Sequence, residues 1–172
     1  DEIRSVFNFN SEKLTRFISQ MNQELFDEPL QTSCAFNVNA PNIKAELRRA
    51  HQKVEAGAVC FFTQPVLSEQ ALHNLQMLKV QVDAKVMGGI MPVVSERNAR
   101  YMMNELSGIV LDESLYNRYV GLDKEEASEL AYETSIEYAR QMAPYVDGYY
   151  LMTPFHRTDL IVRIVEWISR SL

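Results

Sequence analysis

Four short apolar runs, each followed by a stretch with helical spacing, limit what this chain can fold into. The runs are TSCAFN (32–37), AVCFFTQ (58–64), KVMGGIMPV (85–93) and VDGYYLMTPF (146–155). Their lengths suit strands, and the segments between them are long enough to carry a helix across a sheet. Strands that alternate with helices form a parallel sheet with right-handed crossovers. The pattern therefore predicts an α/β chain with one leading helix and four βα units, plus one extra helix before the last strand. Four units make either a small open sheet or half of an eight-stranded barrel, and the pattern fits both. Every run ends in polar or turn residues, Asn37, Thr63-Gln64, Pro92 and Thr153-Pro154. The C-terminal ends of parallel strands are where α/β proteins bind ligands.

Capping and spacing set the helices. The first covers roughly 11–26, capped by Ser11 or Asn10, with Leu14, Phe17, Ile18, Met21 and Leu25 on one stripe. Pro41 suits a first helical position, and Ile43, Leu47, Ala50 and Val54 form the buried stripe of the next helix. Gly57 ends that helix in the left-handed conformation. The run after it reads as a strand buried on both faces. Ser68 caps a helix to about Leu78, and Ser95 caps one to about Leu106. A short helix lies near 112–119. Asp123 and Glu126 have capping-box spacing and open a helix to about Met142. The last helix, about 158–170, turns Leu160, Ile164 and Trp167 inward. Gly88 and Gly89 let a packed strand approach a neighbour. The eight methionines, Met102 and Met103 among them, fill gaps in the core.

A net charge of −6 argues against nucleic acid as a partner, because phosphate backbones need a basic face. A small anionic ligand needs only a few local donors and is not excluded. No run of 18 apolar residues occurs, so no membrane-spanning helix is expected, and no signal peptide is recognised. Cys34 and Cys60 lie in apolar runs and read as buried free thiols of a reducing, cytoplasmic compartment. The chain begins at Asp1 without a methionine, a hint of further sequence upstream.

Few residues carry chemistry. Gln64 stands at a strand end, where its planar amide suits the edge of a heterocycle such as a pterin, a flavin or a nicotinamide. It serves equally as a turn residue that satisfies loop backbone. Glu46 and Lys53 lie seven residues apart on one helix, hence on nearly the same face. They form either a solvated charged face or a contact to the ribose and phosphate groups of a cofactor. His51, His73 and His156 have no ligand spacing for a metal. There is no P-loop, no dinucleotide-binding glycine fingerprint and no nucleophile elbow.

Taken together, AGAVCFFTQP, GGIMPVVSERNARYMMNELSGI, GLDKEEASEL and DGYYLMTPFHRTDL resemble the C-terminal half of methylenetetrahydrofolate reductase. The likeness is greatest to the bacterial branch that is fused to a homocysteine methyltransferase domain. It runs from about Val6 to Trp167. The resemblance implies a single partial domain over 1–172, the second half of a TIM (β/α)8 barrel. It implies FAD at the strand ends, NAD(P)H as co-substrate, and reduction of methylenetetrahydrofolate to methyltetrahydrofolate in one-carbon and methionine metabolism.

By position, Gln64 matches the family glutamine that hydrogen-bonds the pterin, and Thr63 precedes it as in the family. Glu46 and Lys53 match an acidic residue and a lysine on the helix that lines the flavin cofactor. Gln52 stands where the family often has a second basic residue, and Glu96 where part of the family has a stacking aromatic. Phe155, in a loop longer than the family's, is expected to wall the ligand. The family's general acid and most flavin contacts have no counterpart in this sequence, so little activity and weak or absent FAD binding are expected of the chain alone. The competing expectation is a non-catalytic α/β fragment that self-associates or binds a partner; the partners the resemblance implies are the missing N-terminal half of the barrel or the fused homocysteine methyltransferase domain.

Overall fold

The computed structural model describes residues 9–172; Val6 and the other first eight residues lie outside the described part. In chain order the elements are α1 (Ser11–Glu24), β1 (Thr32–Phe36), α2 (Ile43–Glu55), β2 (Ala58–Pro65), α3 (Glu69–Gln81), β3 (Lys85–Ile90), α4 (Glu96–Asn104), α5 (Glu113–Tyr119), α6 (Lys124–Met142), β4 (Gly148–Leu151) and α7 (Thr158–Ser171). A 3-10 turn, Ala143–Tyr145, joins α6 to β4. The strands pair in parallel in the order β1-β2-β3-β4.

That order distinguishes the two architectures open to a βα repeat. A doubly wound sheet reverses its strand order at a switch point. Here each strand is laid beside the one before it. Successive right-handed crossovers then put the helices on one side of the sheet, the winding found in the wall of a (β/α)8 barrel. Burial agrees: Cys34, Phe36, Phe61 and Val86 are buried with helix residues, while Ser33 and Ala35 face outward.

The core beneath the helices is built around Phe36 and Phe61, whose rings meet edge to face at 6.3 Å. Leu47, Ala50, Leu75 and Leu78 from α2 and α3 close over them. A second cluster, with Leu67, Met102, Leu115 and Tyr119, seats α4 and α5. Cap side chains from Asn10, Asn42, Ser68 and Ser95 accept the first free N–H groups of their helices. The capping box of Asp123 and Glu126 opens α6. Gly57, at φ 111°, closes α2, and a Cβ there would collide with the Ser19 hydroxyl that donates to the Ala56 carbonyl.

Several expectations need correction. β2 is not buried on both faces: Val59 is 46% exposed and Phe62 38%. With helices on one side only, the other face of the strand has no layer over it among the described residues. Leu14 and Phe17 of α1, and Leu25 at its C-terminal cap, are exposed, because α1 approaches the sheet with its small polar side. There Thr15 lies 3.4 Å from Cys34 and Ser19 reaches Ala56. Both cysteines are free, but only Cys34 is buried; Cys60 is half-buried. β3 ends at Ile90 and β4 covers only Gly148–Leu151, both shorter than their apolar runs. Gly88 and Gly89 make room for side chains rather than for a neighbouring backbone alone. A Cβ on Gly88 would press on Met142 and Val146, and one on Gly89 on the Tyr150 hydroxyl.

Asp147 ties the start of β4 to β3. Its N–H donates to the Val86 carbonyl at 2.7 Å. Its carboxylate accepts from the Val86 N–H at 2.8 Å and from Lys79 Nζ at 2.7 Å. The bond from Lys79 is the main cause holding this carboxyl below its usual range.

Two outcomes follow. Phe61→Ala should cost about 3–5 kcal/mol in urea unfolding, the scale for emptying a fully buried aromatic site. Because the folded-state pKa of Asp147 is lowered, its stabilisation is present above the ordinary carboxylate range and is lost as pH falls through the folded value. Asp147→Asn should therefore be slightly less stable than the parent near neutrality, with the gap closing in acid, as read by thermal melts across pH.

Candidate functional site

The C-terminal end of β2 is irregular, and the irregularity places the candidate residues. Phe62 pairs with Met87, but the next pair is Pro65 with Gly89. β2 thus spends three steps where β3 spends two, which is a β-bulge with one extra residue. Pro65 has no N–H to give to the ladder. Thr63 repairs the gap with its side chain. Its hydroxyl accepts from the Gly89 N–H at 3.0 Å and donates to the Gln64 carbonyl at 2.8 Å. The Thr63 carbonyl accepts from the Tyr150 hydroxyl, which crosses over Gly89 to reach it. Burial raises the Tyr150 pKa, so the phenol stays protonated and a donor. Its ring packs on Phe62 with centroids 5.3 Å apart.

This frame leaves Gln64 with its backbone held and its side chain uncommitted. Gln64 Oε1 is buried and has no hydrogen-bond partner among the described residues. A buried acceptor without a partner costs about 1–3 kcal/mol, which a donor on a ligand would recover. Gln64 lies within β2 rather than in the turn beyond it.

Thr63 is beside Gln64, but its hydroxyl is fully used within the sheet. Glu46 and Lys53 lie one strand away, at β1. Both are only 8% exposed, so a solvated charged face does not describe them. Lys53 Nζ donates to the Ala35 carbonyl at 2.8 Å. Glu46 accepts from the Asn37 N–H at 3.2 Å and pairs with Arg49 at 3.1 Å. Phe155 is separate again, in the loop after β4, with an exposed ring. Glu96 accepts from the Gly121 N–H, the Tyr116 hydroxyl and Arg100. Those bonds, led by the one from Gly121, hold its carboxyl below the usual range.

Tyr150 is a part of the site that the sequence does not single out. Its only sequence signal is an aromatic pair after Gly148, and its role depends on the register of β3 against β4. No group of three or more His, Cys, Asp or Glu poised around a metal position occurs among the described residues.

The family model for methylenetetrahydrofolate reductase matches residues 4–168. The chain belongs to the methylenetetrahydrofolate reductase family. No curated protein sequence matches it. Among solved structures, a protein from Clostridium thermocellum described as binding two copies of 5-methyl-5,6,7,8-tetrahydrofolic acid shares the fold, with a TM-score of 0.59 and 15% identity. The match covers 92% of this chain and 58% of that one, so the chain spans less than two thirds of that structure's length.

Membership of the reductase family raises the question of a flavin. The donor chemistry at β1 fits the polar end of such a cofactor: the Lys53 ammonium has three N–H donors and spends one on Ala35.

Thr63→Val should test the frame. Loss of the hydroxyl strands the Gly89 N–H, so the variant should lose about 1–3 kcal/mol of stability. Amide exchange at Gly89 should accelerate relative to core amides of β1; unchanged exchange there would contradict the bridging role.

Proposed function

We propose that this chain forms the folate-holding side of a methylenetetrahydrofolate reductase barrel, with Gln64 as the residue that engages the pterin. The observation that carries this reading is the buried, partnerless Oε1 of Gln64 on a bulge at the C-terminal end of β2. The amino group and ring N–H of a pterin are donors in one plane. A planar amide offers them an acceptor and returns an N–H donor to the neighbouring ring acceptor. Family membership supports the choice of pterin over other heterocycles. The folate ligand of the Clostridium thermocellum structure is consistent with it.

In this reading FAD is the cofactor and NAD(P)H the co-substrate. Lys53 and Glu46 contact the ribityl or nucleotide portion of the flavin. When bound, the flavin supplies hydride transfer to the folate carbon. The chain's own residues bind and orient. Gln64 holds the pterin edge, Tyr150 and Thr63 keep the Gln64 backbone in place, and Phe155 walls the ligand. The general acid is assigned to barrel strands beyond these four, and the chain by itself turns over little substrate.

The test is calorimetric titration of the chain with 5-methyltetrahydrofolate. Gln64→Ala should weaken binding by roughly tenfold, the scale of losing one or two hydrogen bonds in a dry site. Unaltered folate affinity in Gln64→Ala would overturn the assignment.

A further inference from the structure

A cavity of about 290 Å³ lies where the first turns of α2 and α3 meet the segment that leads into α5. Ligand cavities run from about 300 to 1,000 Å³, so this one has room for a single small molecule. Asn74, itself buried, shapes it. Its Nδ2 donates to the Val38 carbonyl at 2.7 Å and its Oδ1 accepts from Gln70 Nε2 at 3.1 Å, which holds the loop after β1 against α3. None of Gln64, Thr63, Glu46, Lys53 or Phe155 lines the cavity.

Its polar groups are of two kinds. Asn39 supplies an acceptor. Its Nδ2 donates to the Gly108 carbonyl at 2.9 Å, and a flipped amide would set two oxygens together, so Oδ1 is the free end. That Oδ1 is buried and has no hydrogen-bond partner among the described residues. Ser68 supplies a donor. It is 1% exposed, its Oγ accepts from the Ala71 N–H at 3.1 Å, and its hydroxyl donates to no described residue. Two helices also begin here. Asn42 and Ser68 cap the Ala45 and Ala71 N–H groups, and Asp112 takes that of Glu69. The N–H groups of Ile43 in α2 and Gln70 in α3 are left at the positive ends of their helices.

No Asp, Glu, Lys, Arg or His side chain lines the cavity, and Pro41, Ile43 and Val110 make the rest of its wall apolar. This combination narrows the ligand. A simple anion suits the helix ends but sets negative charge against the Asn39 oxygen. A simple cation suits Asn39 but faces two positive helix ends. A molecule that carries both charges, with no net charge, satisfies the acceptor and the donors together.

We propose that this cavity binds a free α-amino acid with an apolar side chain. The carboxylate accepts from the Ser68 hydroxyl and from the Ile43 and Gln70 N–H groups. The ammonium donates to Asn39 Oδ1, and the side chain lies on Pro41, Ile43 and Val110. The site stands apart from the folate reading and does not depend on it. A molecule bound there bridges the loops after β1 and β2 in the folded chain, so binding also raises the melting temperature.

The experiment is calorimetric titration of the chain, with thermal melts alongside, using L-leucine, N-acetyl-L-leucine, L-leucinamide and inorganic phosphate. L-Leucine should bind and raise the melting temperature. The two blocked forms, one without the ammonium and one without the carboxylate, should each bind roughly tenfold more weakly or worse. Asn39→Ala should weaken L-leucine by roughly tenfold. That change also removes the bond to Gly108, so Val110→Trp serves as a second variant. Val110 is 47% exposed, and a larger ring there fills the cavity without entering the core. L-Leucine binding should be lost in Val110→Trp while circular dichroism is unchanged. Neither heat nor a melting shift with L-leucine on the parent would overturn the proposal, as would undiminished affinity in Val110→Trp. Binding of N-acetyl-L-leucine as tight as that of L-leucine, or binding of phosphate alone, would overturn it too and leave a plain anion site.

Discussion

The extra residue at the end of β2 is the constraint on which the site depends. A regular parallel strand would carry its ladder through to Pro65, and the side chains of Phe62 and Gln64 would share one face. With Pro65 lacking an N–H and one residue in excess, the ladder instead runs through the Thr63 hydroxyl to Gly89. Tyr150 ties the same segment to β4, two strands away in the sheet. Three strands thereby share in fixing one short segment. This is how a sheet can hold an unsatisfied amide without relaxing: the Thr63 and Gln64 carbonyls and the Gly89 N–H beside it are already committed.

The architecture was legible because its signals are local and repeated. Gly57, Ser68, Ser95 and the Asp123–Glu126 box mark element ends through backbone chemistry that acts within a few residues, and each marks an end in the structure; Pro41, expected at the first helical position, instead stands just before the cap Asn42. Strand lengths and faces were less legible. VDGYYLMTPF reads as one long apolar run, but Asp147 uses its carboxylate to start the pairing and Thr153–Pro154 leave it, so only four residues are strand. The two-sided burial expected of AVCFFTQ assumed helices over both faces, and the sequential strand order puts them on one.

The candidate site divides along the same line. Gln64 stands out in sequence because an amide is unusual at the end of an apolar strand. The reason it remains free is not readable there, since it depends on the pairing of β2 with β3. Glu46 and Lys53 are visible as a pair at helical spacing. Their burial against β1, and the backbone groups of Ala35 and Asn37 they satisfy, follow from how α2 lies over that strand. A buried ammonium on a carbonyl and a buried carboxylate on an N–H steady the end of β1 whatever else they contact. Replacing either would disturb the strand as well as any cofactor, so their two roles are separable only by measuring stability alongside binding.

At β2 the uncommitted buried atom is an acceptor, Gln64 Oε1. A ligand that engages it must bring a donor, and a carboxylate edge set against the same oxygen would be repelled. The frame around Thr63 holds that acceptor still, because the Thr63 hydroxyl is committed to the Gly89 N–H and the Gln64 carbonyl, and the Tyr150 hydroxyl to the Thr63 carbonyl. The preference of this position for a donor-bearing edge therefore follows from the register of β2 against β3 and not from the amide alone.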